Sequence, residues 1–328
     1  MLFLFTGLLQ KSRPDAILEF LLYLYVHLKF LEKFMKKLWG STAMIIATIL
    51  WGISFSAQSS GMRFVEPMLF TAFRSAVAVA ALIAVIMIFD MVKFKRLTLW
   101  GDAAAAEAKK NLLMGGMWCG IVITAASIFQ QFGLKYTSAG KTGFLTALYI
   151  VIVPVMGLFF KRKSSWILWL AVALALAGSW LLCGGIGSVG KGEIFVIICA
   201  FIYSIHIMVI DHYAARCDCV RLSALQFTVA TVLAAIASPI AGEPWVAADI
   251  AKTAPYWLFC GIGSSAIAFT LQMVSQKYLH PVTATLLMSL ESVFAALGGW
   301  IFLNEVLSGR ELAGCAIIFA AVIAAQKK

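Results

Sequence analysis

What most constrains this chain is a succession of ten long apolar runs. They fall at about 39–60, 67–90, 111–134, 141–160, 165–184, 192–211, 222–241, 255–276, 281–303 and 310–325. Most are close to the roughly 20 residues a helix needs to cross a bilayer. They are continuous rather than alternating, which excludes a membrane barrel. Charged residues make up 12% of the chain, about half the share found in soluble domains and too little to cover a water-facing surface. The sequence therefore reads as an all-α membrane protein with ten transmembrane helices and the lipid bilayer as its solvent.

Residues 1–34 stand apart. Pro14 splits MLFLFTGLLQ from a helical piece interrupted by Glu19, His27, Lys29, Glu32 and Lys33. A signal peptide, an interfacial amphipathic helix and a mis-called start are the readings open to it. The last is favoured, because Met35-Lys36-Lys37 ahead of a first span is an ordinary membrane-protein beginning. On this reading 1–34 is a peripheral extension, 35–187 holds spans 1–5 and 188–328 holds spans 6–10. The glycine-rich CGGIGSVGKG (183–192) is the joint between them.

The formal net charge of +11 does not point to nucleic acid. The basic residues sit between apolar runs, where they set topology. With Lys36 and Lys37 inside, alternate loops carry Lys93, Lys95, Arg96, Lys109 and Lys110, then Lys161-Arg162-Lys163, then Arg216 and Arg221, then Lys277, and last Lys327-Lys328. The opposite loops hold single basic residues. The bias predicts an inner (plasma) membrane protein with both termini cytoplasmic. The seven cysteines are scattered and mostly lie within apolar runs. No spacing among them reads as a disulfide framework or a zinc site.

The two halves resemble each other. KYTSAGKTGFLTALYIVIVPVMGLFF (135–160) lies beside KYLHPVTATLLMSLESVFAALGGWIF (277–302) without a gap, with Gln130 on Gln272, Tyr149 on Glu291 and Gly157 on Gly299. Five spans per repeat is an odd number, so the second copy is inverted relative to the first. Inverted repeats give one chain two related packings, open to opposite sides, with a site near the midplane.

At these residues the chain resembles the EamA-type drug/metabolite transporter superfamily. The resemblance is carried by Trp51-Gly52-x-x-Phe55, by Phe73-Arg74, by Tyr136 to Gly140, by Tyr278 to Pro281 and by Glu291 to Glu305. It covers about 38–326 and rests on order and spacing rather than on one sharp motif. It implies a ten-helix bundle around a central cavity and the export or exchange of small metabolites.

Within span 9, Glu291 lies about 15 Å from Pro281 along the helix, near mid-bilayer. A charge at that depth costs several kcal/mol unless compensated. Glu291 is read as a cavity residue that binds an amine or carries a coupling proton; the structural alternative is a neutral acid bonded between helices. Around it the candidate substrate-binding or coupling residues are His206, Gln272, Tyr149, Tyr203, Trp51 and Gln130. His206 has two readings, a proton relay with Glu291 and an interhelical hydrogen bond. Gln276 shares a face with Gln272. Arg74 is read as structural, its side chain snorkelling to the outer interface. Pro154 is read as a kink in span 4, and Ala295, Gly298 and Gly299 as a surface for close helix approach.

No nucleotide-binding loop occurs in the chain, so the sequence implies a gradient-driven carrier without cofactor or metal, with protons as the candidate coupling ion. Amino acids or amines are the substrate classes considered. The alternatives are a membrane-embedded enzyme and a passive scaffold or channel.

Overall fold

The computed structural model of the protein describes residues 14–101, 105–137, 139–159, 165–183, 189–303, 306 and 308–326. Among the described residues every regular element is helical. The loop basic residues Lys161-Arg162-Lys163, the Asn304-Glu305 pair and the terminal Lys327-Lys328 lie outside them.

Span 1 is the end of a single long helix, α1 (Pro14–Gly61). At 1.5 Å per residue its 48 residues extend about 72 Å, far more than a bilayer's thickness. Its side chains from Leu24 to Trp39 are almost all exposed, and burial becomes regular only from Gly40 onward. The first-repeat helices are α2 (Pro67–Lys93), α3 (Ala106–Tyr136), α4 (Ala139–Thr146) with α5 (Tyr149–Phe159), and α6 (Trp166–Cys183). The second-repeat helices are α7 (Lys191–Tyr213), α8 (Cys219–Ile240) and α9 (Ala247–Phe259), which runs through a π-helical stretch (Cys260–Ala268) into α10 (Phe269–Gln276). Span 9 is α11 (Pro281–Met288) with α12 (Leu290–Leu303), and α13 (Gly309–Gln326) closes the chain. Eight described segments have the length and hydropathy of membrane spans. The shorter apolar Trp166–Leu181 and α13 complete the ten.

Local chemistry sets the helix starts. Pro67 and Pro281 sit in the first turn, where no intrahelical N–H bond is lost. Glu243, from the loop after α8, accepts from the backbone N–H of Met68 and Leu69 at 3.0 and 2.8 Å and so caps α2. Asp218 caps α8 by accepting from the Arg221 N–H at 2.8 Å.

The packing is two-fold. Span 1 packs on span 9 as span 6 packs on span 4, and span 3 packs on span 7 as span 8 packs on span 2. Spans 2 and 7 pack on each other, as do spans 5 and 10 and spans 4 and 9. Each pairing is matched by the pairing five spans further on, which gives the two-repeat architecture in three dimensions. The closest approach is made by small residues. A Cβ on Gly52 would lie 2.5 Å from the Phe294 Cβ and 2.7 Å from the Ala295 nitrogen, and one on Gly298 would lie 3.6 Å from the Ile53 Cα. Spans 1 and 9 are therefore packed backbone to backbone.

Candidate functional site

Spans 4 and 9 are both broken, and at equivalent places. Span 4 stops being α-helical at Ala147-Leu148 and span 9 at Ser289, the residue that aligns with Ala147. The hydrogen bonding is matched too. The Ile150 N–H reaches back to Ala147 at 2.9 Å and the Ser292 N–H to Ser289 at 3.2 Å, three residues instead of four. This takes the usual donor away from the carbonyls of Thr146 and Met288, which also align. The interruption in span 4 is not at Pro154, where the sequence places a kink: α5 runs helically through that proline. A missing N–H costs the helix one bond, and the shift to three-residue bonding lies upstream of it.

Just beyond the breaks stand the candidate pair, Tyr149 as the first residue of α5 and Glu291 as the second of α12, and they meet. The Tyr149 hydroxyl lies 3.1 Å from Glu291 Oε2 and 3.1 Å from the freed Met288 carbonyl. Tyr149 is 1% exposed and Glu291 7%. The carbonyl left open by the break is thus met by a side chain from the opposite repeat, as a buried polar group requires.

This junction forms one wall of a narrow cavity of about 20 Å³, room for about one water in this conformation. Six of the seven candidates line it: Trp51, Gln130, Tyr149, Tyr203, Gln272 and Glu291. Trp51 donates its ring N–H to the Ser264 carbonyl at 3.1 Å and meets Phe269 edge-on at 4.9 Å. The Gln272 amide touches the Met288 sulfur at 4.0 Å, and its carbonyl oxygen has no partner within the protein.

The seventh, His206, is not brought to the cavity lining. It is fully buried behind it, with Nε2 3.0 Å from Gln226 Oε1 and its ring edge-on to Tyr203 and Phe269. Among the described residues no hydrogen bond joins it to Glu291. Gln276 is also elsewhere, donating to the Ile207 carbonyl at 3.0 Å.

Arg74 corrects the sequence reading. It does not snorkel outward. It is 4% exposed and lines the cavity. Its Nε donates to Ser265 Oγ at 3.1 Å, Nη1 to Gln58 Oε1 at 2.8 Å and Nη2 to Ser264 Oγ at 3.1 Å. The acid nearest the start of α2, Glu66, is held at 2.6 Å by Lys135. The arginine turns inward because its acceptors are there. Two of them come from the π-helical stretch of span 8. A π turn carries more residues per revolution than an α turn, so adjacent side chains diverge less and both serines face the guanidinium. Such stretches are rare and concentrate at functional sites. Gln58 extends the network: its Oε1 also accepts from Gln131, and its amide donates to Ser54 Oγ at 3.0 Å.

Sequence reasoning missed Arg74, Gln58, Ser54, Ser264 and Thr146 as lining residues. A signal for one was present, since Arg74 falls seven residues into an otherwise apolar run. Among the described residues no cluster of His, Cys, Asp and Glu has a metal-holding arrangement.

Comparison with known proteins agrees with this architecture. An archaeal relative from Archaeoglobus fulgidus, named an uncharacterized transporter, is 26% identical over 295 residues, covering 88% of this chain and 86% of that protein. The uncharacterized transporter YoaV of Bacillus subtilis is 21% identical over 282 residues, covering 84% of this chain and 92% of its own length. A crystal structure superposes with a TM-score of 0.69 at 19% identity, covering 88% of this chain and 96% of that one, and so shares the fold. The EamA-like transporter family matches residues 38–184 and again 190–325. The chain is a multi-pass membrane transporter and belongs to the EamA-like transporter family.

Proposed function

We propose that the protein is a secondary active transporter that exports or exchanges small metabolites across the cytoplasmic membrane by alternating access. The observation that carries this reading is the junction of Tyr149 and Glu291, where two equivalent helix breaks from opposite repeats meet at the wall of a cavity. A carrier needs a site shared by two packings of the same fold, and a two-fold pair of interrupted helices is suited to that exchange. Trp51, Gln130, Tyr149, Tyr203, Gln272 and Glu291 are the substrate-facing residues in this reading, with Glu291 also the proton carrier for coupling. An acid inside a membrane bundle is functional by default. In this reading the basic loops face the cytoplasm and both termini lie there, with residues 1–34 peripheral to the two repeats.

The test is counterflow. Liposomes holding the purified protein are loaded with a pooled set of amino acids, organic acids, amines and their amides. Exchange is then scored by mass spectrometry, for wild type and for Glu291→Gln. Loss of exchange in the variant, with wild type active, supports the reading. Exchange that is indifferent to the substitution removes Glu291 from the mechanism. Chemical conversion without flux would make the protein an enzyme.

A further inference from the structure

Arg74 carries a permanent charge into the bundle, and among the described residues no acid stands within ion-pair distance of it, although Glu291 lines the same cavity. Its three hydrogen-bond partners among the described residues, Gln58, Ser264 and Ser265, are all neutral. A guanidinium has five N–H donors, so these bonds leave two, one on each terminal nitrogen. The carboxylate on the cavity's other wall, Glu291, is engaged by Tyr149. A buried, uncompensated charge costs several kcal/mol, and a structure that needed only a polar tether at this position had a neutral option. The second repeat has taken it. Arg74 stands seven residues beyond the first residue of α2, and the residue seven beyond the start of α8 is the neutral Gln226.

From these observations we infer that the transported substrate carries a carboxylate, bound by Arg74 through the two remaining N–H groups while Gln58, Ser264 and Ser265 hold the guanidinium fork in place. This rests on the carrier reading and narrows its substrate class from small metabolites, amino acids and amines among them, to carboxylate-bearing compounds. One N–H on each terminal nitrogen is a donor set that a carboxylate can meet with both oxygens. The substrate's charge, rather than a protein acid, then balances Arg74, and the site is electrically complete only when loaded. The lining also presents the aromatic and apolar surfaces of Trp51, Phe55, Tyr203, Phe269 and Met288, which suit a compact apolar body attached to that carboxylate.

The experiment uses the same proteoliposomes and pool. Compounds exchanged by wild type are expected to carry a carboxylate, and their matched amides and methyl esters are expected to exchange at least tenfold more slowly. Arg74→Gln is expected to abolish exchange and Arg74→Lys to retain part of it. A second variant guards against simple misfolding. Gln58→Glu gives Arg74 an internal carboxylate, and is expected to raise thermal stability in detergent while lowering exchange at least tenfold. Wild-type exchange of neutral amides as fast as their acids overturns the inference and leaves the carrier reading intact. So does full activity in Arg74→Gln or Gln58→Glu. A wild type that exchanges nothing in the pool overturns both.

Discussion

Among the described residues two arginines are buried, and they are treated in different ways. Arg221, 7% exposed, lies at the start of α8 and meets Asp90 near the end of α2 in a direct ion pair. The pair is elaborated: the second oxygen of Asp90 accepts from the Thr98 backbone N–H at 2.9 Å and from its hydroxyl at 3.1 Å, and Arg221 also reaches the Thr98 carbonyl at 3.2 Å. Arg74, at 4% exposure, has amide and hydroxyl partners. One arginine, Arg221, has its charge answered by a carboxylate and ties span 2 to span 7 and to the loop after span 2, although its Nε has no hydrogen-bond partner among the described residues. The other is held in position but left with charge to spare, and it faces the cavity. Equal burial with unequal compensation separates an arginine that builds the fold from one available to a ligand.

The sharpest way to break this contrast is to remove the acid from the completed pair. Asp90→Asn strands the Arg221 charge, and loss of one partner from a buried pair costs about 3–5 kcal/mol. Unfolding free energy in detergent measures it. The double variant Asp90→Leu with Arg221→Met is expected to recover most of that loss, because a buried pair and an apolar pair of similar volume are close in stability. A loss below about 1 kcal/mol in Asp90→Asn would mean that the bundle tolerates unpaired arginines generally, and Arg74 would lose its distinction.

A smaller effect is expected from Tyr149→Phe, which removes the hydroxyl from Glu291 and from the Met288 carbonyl. Leaving buried acceptors without a donor costs about 1–3 kcal/mol. The sign carries the information. Destabilisation agrees with a tyrosine that holds the acid on its own wall. Stabilisation would mean that the freed carboxylate has moved to pair with Arg74, making the two arginines alike after all.

The sequence made some of this legible. The spans could be read because continuous apolar runs have one meaning in a bilayer. The alignment of Tyr149 with Glu291 could be read because the repeat holds register from 135 to 160, and residues equivalent under a two-fold at its axis must face each other. What was not legible depended on partner choice and on backbone bonding. Arg74 finds acceptors 16, 190 and 191 residues away, and nothing in its neighbourhood announces them. The breaks at Ala147-Leu148 and Ser289 are made by residues that sit comfortably in helices, so composition gives no warning. Pro154 warned of a break where α5 is regular. His206 meets the Tyr203 ring edge-on from one turn along the same helix, yet Tyr203 lines the cavity and His206 does not.

The smallest expected effect decides most about the contrast. Arg74→Gln deletes a buried charge and, with it, the cost of keeping that charge from water. It also leaves Ser264, Ser265 and Gln58 to find other partners, at about 1 kcal/mol each if they fail. The two terms oppose each other, and a glutamine amide can still serve one of the three. Net stability is therefore expected to change by less than about 1 kcal/mol in either direction. Measured beside Asp90→Asn in the same detergent, it should look almost silent. A loss as large as that of Asp90→Asn would class Arg74 with Arg221, as an arginine whose charge the fold itself requires. A silent melt together with a dead exchange assay is the pattern of a charge kept for the substrate.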